Sequence, residues 1–449
     1  MKGFLRAWML WLALIGAAGA AGNLKFRPGE GAFHWDSFEA LGKIRLDGQQ
    51  LTVFGPWIGP DQPLIESVLA YFEAATGADV RYTGSDAFEQ QIRIDTEAGS
   101  APNIAIFPQP GLLGDLVRLG KVAPLTEADA RWVRDNYAAG ESWVALGSFA
   151  GPDGGEHFYG IFYKVDVKSL VWFVPENFED AGYQIPTSMA ALRRLTEQIA
   201  ADGETPWCIG LGSGSATGWP ATDWVEELML RSRPAEVYDR WVDHRMPFDD
   251  PAVVAAIDAF GWFARNGKFV AGGAAAVATT DYRDSPKGLF SSPPQCYMHR
   301  QASFIPSYFP ADTEIGADVD FFYFPADDDL RLGMPVLGAG TVVAITRDSP
   351  AARAFIEFLK SPIAHEVWMA QKGFLTPHKG VNTELYGDPT LRKMGDILRS
   401  ADTFRFDASD LMPGAIGAGA FWTGMVDFVG GRPAGEVAGR IEAAWEALE

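Results

Sequence analysis

Leu51-Thr52-Val53-Phe54-Gly55-Pro56 opens the stretch that decides the fold, which runs on to Asn103-Ile104-Ala105-Ile106-Phe107. Residues 51–54 form a short apolar run stopped by Gly55-Pro56, and they read as a strand. Leu64, Ile65, Val68, Leu69 and Phe72 then recur on one helical face, and Gly77 closes that helix. Residues 78–82 read as a second strand, 86–98 as a second helix and 103–107 as a third strand. Alternation of this kind with short links predicts a parallel sheet, because parallel neighbours need a crossover rather than a tight turn.

The rhythm returns further along. Thr187 or Ser188 can cap a helix carrying Leu192, Leu195 and Ile199. Ser349-Pro350 pairs a cap with a proline suited to the first helical position, ahead of Phe355, Phe358 and Leu359. A last helix carries Val437, Ile441, Trp445 and Leu448. Such stripes are core faces and nominate no site. At 449 residues the chain exceeds what one core serves, so two lobes are expected.

The first twenty residues read as an export signal: Lys2 and Arg6, an apolar run over 7–18, and the small-x-small tripeptide Ala18-Gly19-Ala20. No cysteine follows to carry a lipid, so a soluble periplasmic product is expected; the other reading is a retained membrane anchor. Residues 21–48 read as a loosely attached arm. The formal charge of −21 would repel nucleic acid and anionic lipid. Cys208 and Cys296 are the whole cysteine complement. Export makes a bridge between them chemically accessible, stabilising by roughly 4–5 kcal/mol at most; two buried thiols are the alternative.

Several catalytic patterns are missing: the phosphate loop, the dinucleotide glycine motif and the nucleophile elbow. His365-Glu366 starts like a zinc helix, but Met369 stands where the second histidine belongs. Hence no catalytic residue, metal or cofactor is expected. Aromatic surface is what the chain has in excess, with 15 tryptophans. Trp57, Trp219, Trp224 and Trp422 fall among glycine-, serine- or proline-rich residues and read as loop tryptophans. Flat indoles match the C–H faces of pyranose rings, and neighbouring polar side chains can satisfy the hydroxyls. The competing reading is that each plugs a lobe interface.

Segment order adds a family. Tyr159-Gly160-Ile161-Phe162-Tyr163-Lys164, followed by Ser169-Leu170-Val171-Trp172-Phe173, resembles the first interlobe crossing of the extracellular solute-binding proteins, family 1, of ABC sugar transporters. Phe178-Glu179-Asp180-Ala181-Gly182-Tyr183, residues 290–304, Val336-Leu337-Gly338-Ala339-Gly340, residues 352–359 and Gly373-Phe374-Leu375-Thr376-Pro377 continue the match in order. Residues 206–224 and Cys296-Tyr297-Met298-His299-Arg300 look more narrowly like the alpha-glucoside-binding proteins. The resemblance covers about residue 50 to the end, departing at Phe162, where a proline is common, and at Phe173.

That resemblance implies an α/β, two-lobed type II periplasmic binding protein, each lobe a mainly parallel sheet flanked by helices. Lobe 1 would comprise 49–164 and 337–380, and lobe 2 residues 165–336 and 381–449. It implies a monomer that binds an alpha-glucoside-like sugar in the cleft and hands it to an inner-membrane ABC permease with its ATPase. Ligand contacts are expected from Trp57, Asp86, Glu89 and Gln109 on the first lobe, near strand ends. On the second they are expected from Trp219, Asp223, Arg300 and Trp422, with backbone groups at Gly338 and Gly340. Asp223 and Glu89 have another reading, as acids at helix N-termini. Two other functions stay open: a secreted carbohydrate-active enzyme using Asp86 and Glu89 or Asp223 as a carboxylate pair, and a binder of a polyol or other small neutral solute.

Overall fold

A computed structural model describes residues 24–327, 330–387, 389–400 and 403–448, so the export signal at 1–20 lies outside the described residues. In chain order the elements that matter are helix α1 (Trp35–Leu41), strand β1 (Gln50–Gly55), α2 (Gln62–Thr76), β2 (Asp79–Gly84), α3 (Phe88–Ala98), β3 (Ile104–Phe107) and α4 (Pro110–Arg118). There follow β4 (Gly160–Val167), β5 (Leu170–Phe173), α5 (Met189–Ala201) and α6 (Trp219–Ser232). The remainder includes β6 (His299–Arg300), β7 (Asp320–Tyr323), β8 (Pro335–Ile345), α7 (Pro350–Leu359), α8 (Pro362–Met369), β9 (Thr403–Phe406), α9 (Trp422–Val429) and α10 (Ala434–Glu446).

The chain divides into two compact units. The first holds the residues up to Ile106, Gly120–Tyr163 and Val342–Gly387; the second holds Phe107–Leu119, Lys164–Thr341 and Asp388–Glu449. In the first unit β1 pairs in parallel with β2 and with β3, as the 51–107 alternation predicts. Gly77 ends α2 with φ of 78°, a left-handed position that glycine occupies without strain. Phe72 of α2 packs on Phe355 and Phe358 of α7 to make this core, and the Ser349 side chain accepts the Ala352 N–H at the start of α7.

The arm is not loose. Residues 35–41 are helical, and Phe26, Phe33 and Trp35 form a run of ring contacts that ends with Trp35 stacked on Tyr71, which Phe38 meets edge-on. The Tyr71 hydroxyl accepts the Phe26 N–H (2.8 Å) and donates to the Phe26 carbonyl (2.6 Å). Glu366, fully buried on α8, accepts the backbone N–H of His34 and that of Asn382, both at 2.8 Å, and meets His34 Nδ1 at 2.5 Å. Composition hid this, because glycine content masked aromatic residues whose partners lie in α2 and α8.

The second unit departs from the parallel expectation. Its sheet, β6-β5-β7, is antiparallel, with Val171 opposite Arg300 and Phe322; parallel pairing there is β8 with β9, Pro335 to Gly338 against Thr403 to Phe406. Strands β5, β6 and β7 are not joined by the short strand–helix alternation that fixed direction over 51–107. Its core gathers Trp207, Trp224, Phe260, Phe263 and Phe324 in edge-to-face and tilted ring contacts. Ser188 caps α5 by accepting the Ala191 N–H, as read. The α10 stripe is buried at Val437, Ile441 and Trp445, but Leu448 lies past the helix end and is exposed.

Cys208 and Cys296 are joined, Cα to Cα 5.5 Å. The short apolar runs that hold them, residues 207–209 and 295–297, read as strands in the sequence, but here Trp207 forms single bridges, with Met298 and with Val270. Among the described residues, no helix is long and apolar enough to cross a membrane.

Candidate ligand-binding site

The loop before α6 sets the site in the second unit. Gly218 has φ of 118°, and a Cβ on it would lie 2.2 Å from the Trp422 carbonyl oxygen. Only glycine lets the two backbones approach, so the segments bearing Trp219 and Trp422 are held against each other. Trp219 begins α6, with Pro220 in the first turn, and its ring stays partly exposed. It meets Tyr282 edge-on at 4.9 Å and Phe304 at 6.0 Å, and Tyr282 in turn meets Tyr308 at 5.7 Å. Tyr282 is placed by its N–H donating to the Gly212 carbonyl (2.9 Å), while Gly212 N–H donates to Thr280.

Cations border this aromatic wall. Lys164 Nζ is 5.5 Å from the Phe304 ring centre, Lys168 Nζ is 5.7 Å from Trp219, and the Arg283 guanidinium is 4.4 Å from Tyr282. Each is already neutralised: Lys164 by Asp166 (2.7 Å), Arg283 by Asp281 (3.3 Å) and Lys168 by Asp223 (2.8 Å) and Asp407. Aromatic faces beside balanced charge suit a neutral, hydroxyl-rich ligand better than an anion.

Beneath the wall lies a buried ion network. Arg300 pairs with Glu227 (3.0 Å) and Asp223 (3.6 Å), and Arg231 with Glu227; Ser169 Oγ donates to Glu227 (3.0 Å). Glu226 accepts the Ser409 N–H at 3.0 Å. Burial pushes the Asp223 carboxyl up, against the pull of Lys168, to about 7. Burial also drives Glu226 well above the ordinary carboxyl range, reinforced by the charge of Asp407 and a hydrogen bond to it. Asp407 goes the other way: burial opposes its charge, but Lys168 and several hydrogen bonds outweigh burial and hold it at about 2. Lys168 stays protonated, because the surrounding carboxylates overcome the burial that would lower it.

Carboxylate oxygens of Asp223, Glu226 and Asp407 lie within 4.8 Å of one another, close enough to share a metal ion. The Lys168 ammonium already contacts Asp223 and Asp407, however, and fills the cationic role. The donor set therefore fits a resident lysine better than a divalent ion.

The expected site residues separate as follows. Trp57 is in the first unit, buried edge-on against Trp368 at 4.8 Å, its own N–H and carbonyl both bonded to the Tyr82 hydroxyl. Asp86 stands in the turn before α3 and Glu89 in its first turn, both partly exposed; the helix-terminal reading of Glu89 matches that position. Gln109 precedes α4 and counts in the second unit, not with the first-lobe residues among which it is expected. Asp223 and Arg300 are both tied into the ion network, 1% and 3% exposed. The Gly338 carbonyl accepts the Asp407 N–H at 2.8 Å, and a Cβ there would lie 2.3 Å from the Phe404 ring, so this glycine makes room for a side chain. Gly340 lies buried in β8. Trp224 is no loop residue: it sits within α6, in the core.

Among the described residues of the second unit, the buried polar atoms without a hydrogen-bond partner include Gln109 Oε1, Thr341 Oγ1 and Trp422 Nε1. Such atoms call for a ligand or water, although Trp241 Nε1 in the core shares the property, so it does not define a site alone. Sequence reasoning missed Tyr282, Phe304, Tyr308, Arg283, Lys164 and Lys168. A signal existed for two of them, since Phe304-Ile305-Pro306-Ser307-Tyr308-Phe309-Pro310 is a proline-punctuated aromatic run, although it contains no tryptophan.

Residues 56–366 match the family of bacterial extracellular solute-binding proteins. The chain is 62% identical over 432 residues to the alpha-glucosides-binding periplasmic protein AglE of Rhizobium meliloti (strain 1021), covering 96% of this chain and 94% of that one. It is 42% identical over 400 residues to the osmoprotective compounds-binding protein GgtB of Synechocystis sp. (strain ATCC 27184 / PCC 6803 / Kazusa), covering 89% and 93%. Among solved structures the bacterial solute receptor AcbH, described as preferring β-D-galactopyranose, superposes with a TM-score of 0.75 at 18% identity, covering 89% of this chain and 99% of that one; this likeness speaks to the fold. With two α/β units, a segment order that follows the family and these relatives, the chain belongs to the bacterial extracellular solute-binding proteins.

Proposed function

We propose that this protein captures an alpha-glucoside in the periplasm and delivers it to an ABC permease driven by its ATPase. The observation that carries this reading is the 62% identity over 432 residues to a relative named for alpha-glucosides. The wall of Trp219, Tyr282, Phe304 and Tyr308 supports it, because its faces suit a pyranose and its bordering cations are neutralised. In this reading the chain is exported, loses its signal near Ala20, carries no lipid, acts as a monomer and binds no nucleic acid. It also performs no chemistry on the sugar: Asp223, the second-unit member of the carboxylate pair considered for hydrolysis, is paired with Lys168. Ligand would act by favouring a closed arrangement over an open one, which the permease recognises.

Tryptophan fluorescence titrated with maltose, sucrose, trehalose, glucose and mannitol tests the reading, with the sugar analysed afterwards. Saturable response to an alpha-glucoside recovered intact supports it; released glucose would favour an enzyme. A second reading, a polyol or other osmoprotective solute, is favoured by the 42% identity to GgtB. Response to mannitol without response to any disaccharide would select it.

A further inference from the structure

The wall's leading residue, Trp219, starts a helix whose preceding residue is a glycine and offers no side-chain cap. Beyond the close approach of Gly218 to Trp422, the orientation of its first turn rests on the side chains packed against it. Asp223 lies four residues on, one turn down the same helix face, and it is buried. Lys168 reaches both levels: its ammonium is 5.7 Å from the Trp219 ring centre and 2.8 Å from Asp223 Oδ1. The same ammonium contacts Asp407. Both ends of this clamp are tied to neighbouring carbonyls of β8, for Lys168 N–H donates to Leu337 and Asp407 N–H donates to Gly338, each at 2.8 Å. With Lys168 only 5% exposed, solvent cannot take over the ammonium's role.

We propose that Lys168 is a positioning residue for ligand capture: it holds the first turn of α6, and with it the Trp219 indole, in place from below. The inference rests on the reading that Trp219 faces the sugar. Lys168→Met alone would strip Asp223 and Asp407 of the partner they share, so the test uses Lys168→Met/Asp223→Asn, which removes the ammonium and one of the two carboxyls it bonds, together with Lys168→Arg. The full-length protein is labelled with 5-fluorotryptophan, and the Trp219 resonance is assigned by its loss in Trp219→Phe. In the double variant the unfolding transition stays cooperative, the Trp219 resonance moves and broadens without any sugar, and maltose binding weakens about tenfold. Lys168→Arg keeps the resonance near its wild-type position and restores most of the affinity.

An unchanged Trp219 resonance in the double variant overturns the proposal, as does maltose affinity within about twofold of wild type. If the wild-type protein binds none of the sugars, the glucoside reading fails, while the sugar-free resonance still decides whether Lys168 positions Trp219.

Discussion

Gly218 is the residue on which the geometry of the wall turns. Its φ of 118° and the 2.2 Å that would separate a Cβ from the Trp422 carbonyl mean that no other residue fits. Gly218→Ala is expected to destabilise by about 1–3 kcal/mol in urea unfolding and to weaken sugar binding as well. The buried carboxylates give a pH signature. Asp223, at about 7, holds in the native state a proton that an unfolded aspartate gives up near 3.8. Its contribution to stability is therefore complete below pH 3.8 and is lost as pH rises through 7. Asp407, at about 2, contributes above pH 3.8 and loses that contribution as pH falls toward 2. Between pH 5 and 7 wild-type stability should decline relative to Asp223→Asn, by up to about 1.4 kcal/mol per pH unit, when both are unfolded in urea. A decline equal in both proteins would assign it to other groups.

At the scale of elements, the disulfide closes a separation of 88 residues and lies beside the hydrogen-bonded pairing that leads into β6. Cys208 N–H donates to Met298, Met298 N–H donates to Pro206, and His299 Nδ1 meets the Cys208 carbonyl at 2.9 Å. Converting both cysteines to serine should cost about 2–5 kcal/mol of the stability of the second unit, matched by adding reductant to the wild type. The arm makes a second case. His34→Ala removes the ring that meets the fully buried Glu366, and a loss of about 1–3 kcal/mol is expected in the unfolding of the first unit. Elements were legible where glycine and proline punctuate apolar runs, as from Leu51 to Phe107, and where a cap announces a helix, as at Ser188 and Ser349. They were illegible where order depends on a distant partner. The arm's aromatics need Tyr71, and the direction of β5 is set by β6 and β7 more than a hundred residues later.

For the molecule as a whole, the family was legible in the order of segments, and the candidate site only in part. Trp219 stood out because a glycine precedes it and a proline follows. Tyr282 and Tyr308 look like ordinary aromatics until the fold brings them edge to face. The ion network had no local signal at all, since Lys168 and Asp407 are 239 positions apart. Asp223 and Arg300, expected as ligand contacts, are buried in the fold, where Arg300 pairs with both Asp223 and Glu227. Within the glucoside reading, what remains for the ligand is the aromatic wall, which gives shape and selectivity, and a few buried polar atoms such as Trp422 Nε1. The central claim is tested most directly by calorimetric titration of the exported, processed protein with maltose, sucrose and trehalose. One-site binding of at least one alpha-glucoside at micromolar affinity or tighter, with the sugar recovered intact, is the result expected. A folded protein that gives no heat with any of them, or that cleaves the one it binds, would contradict the account.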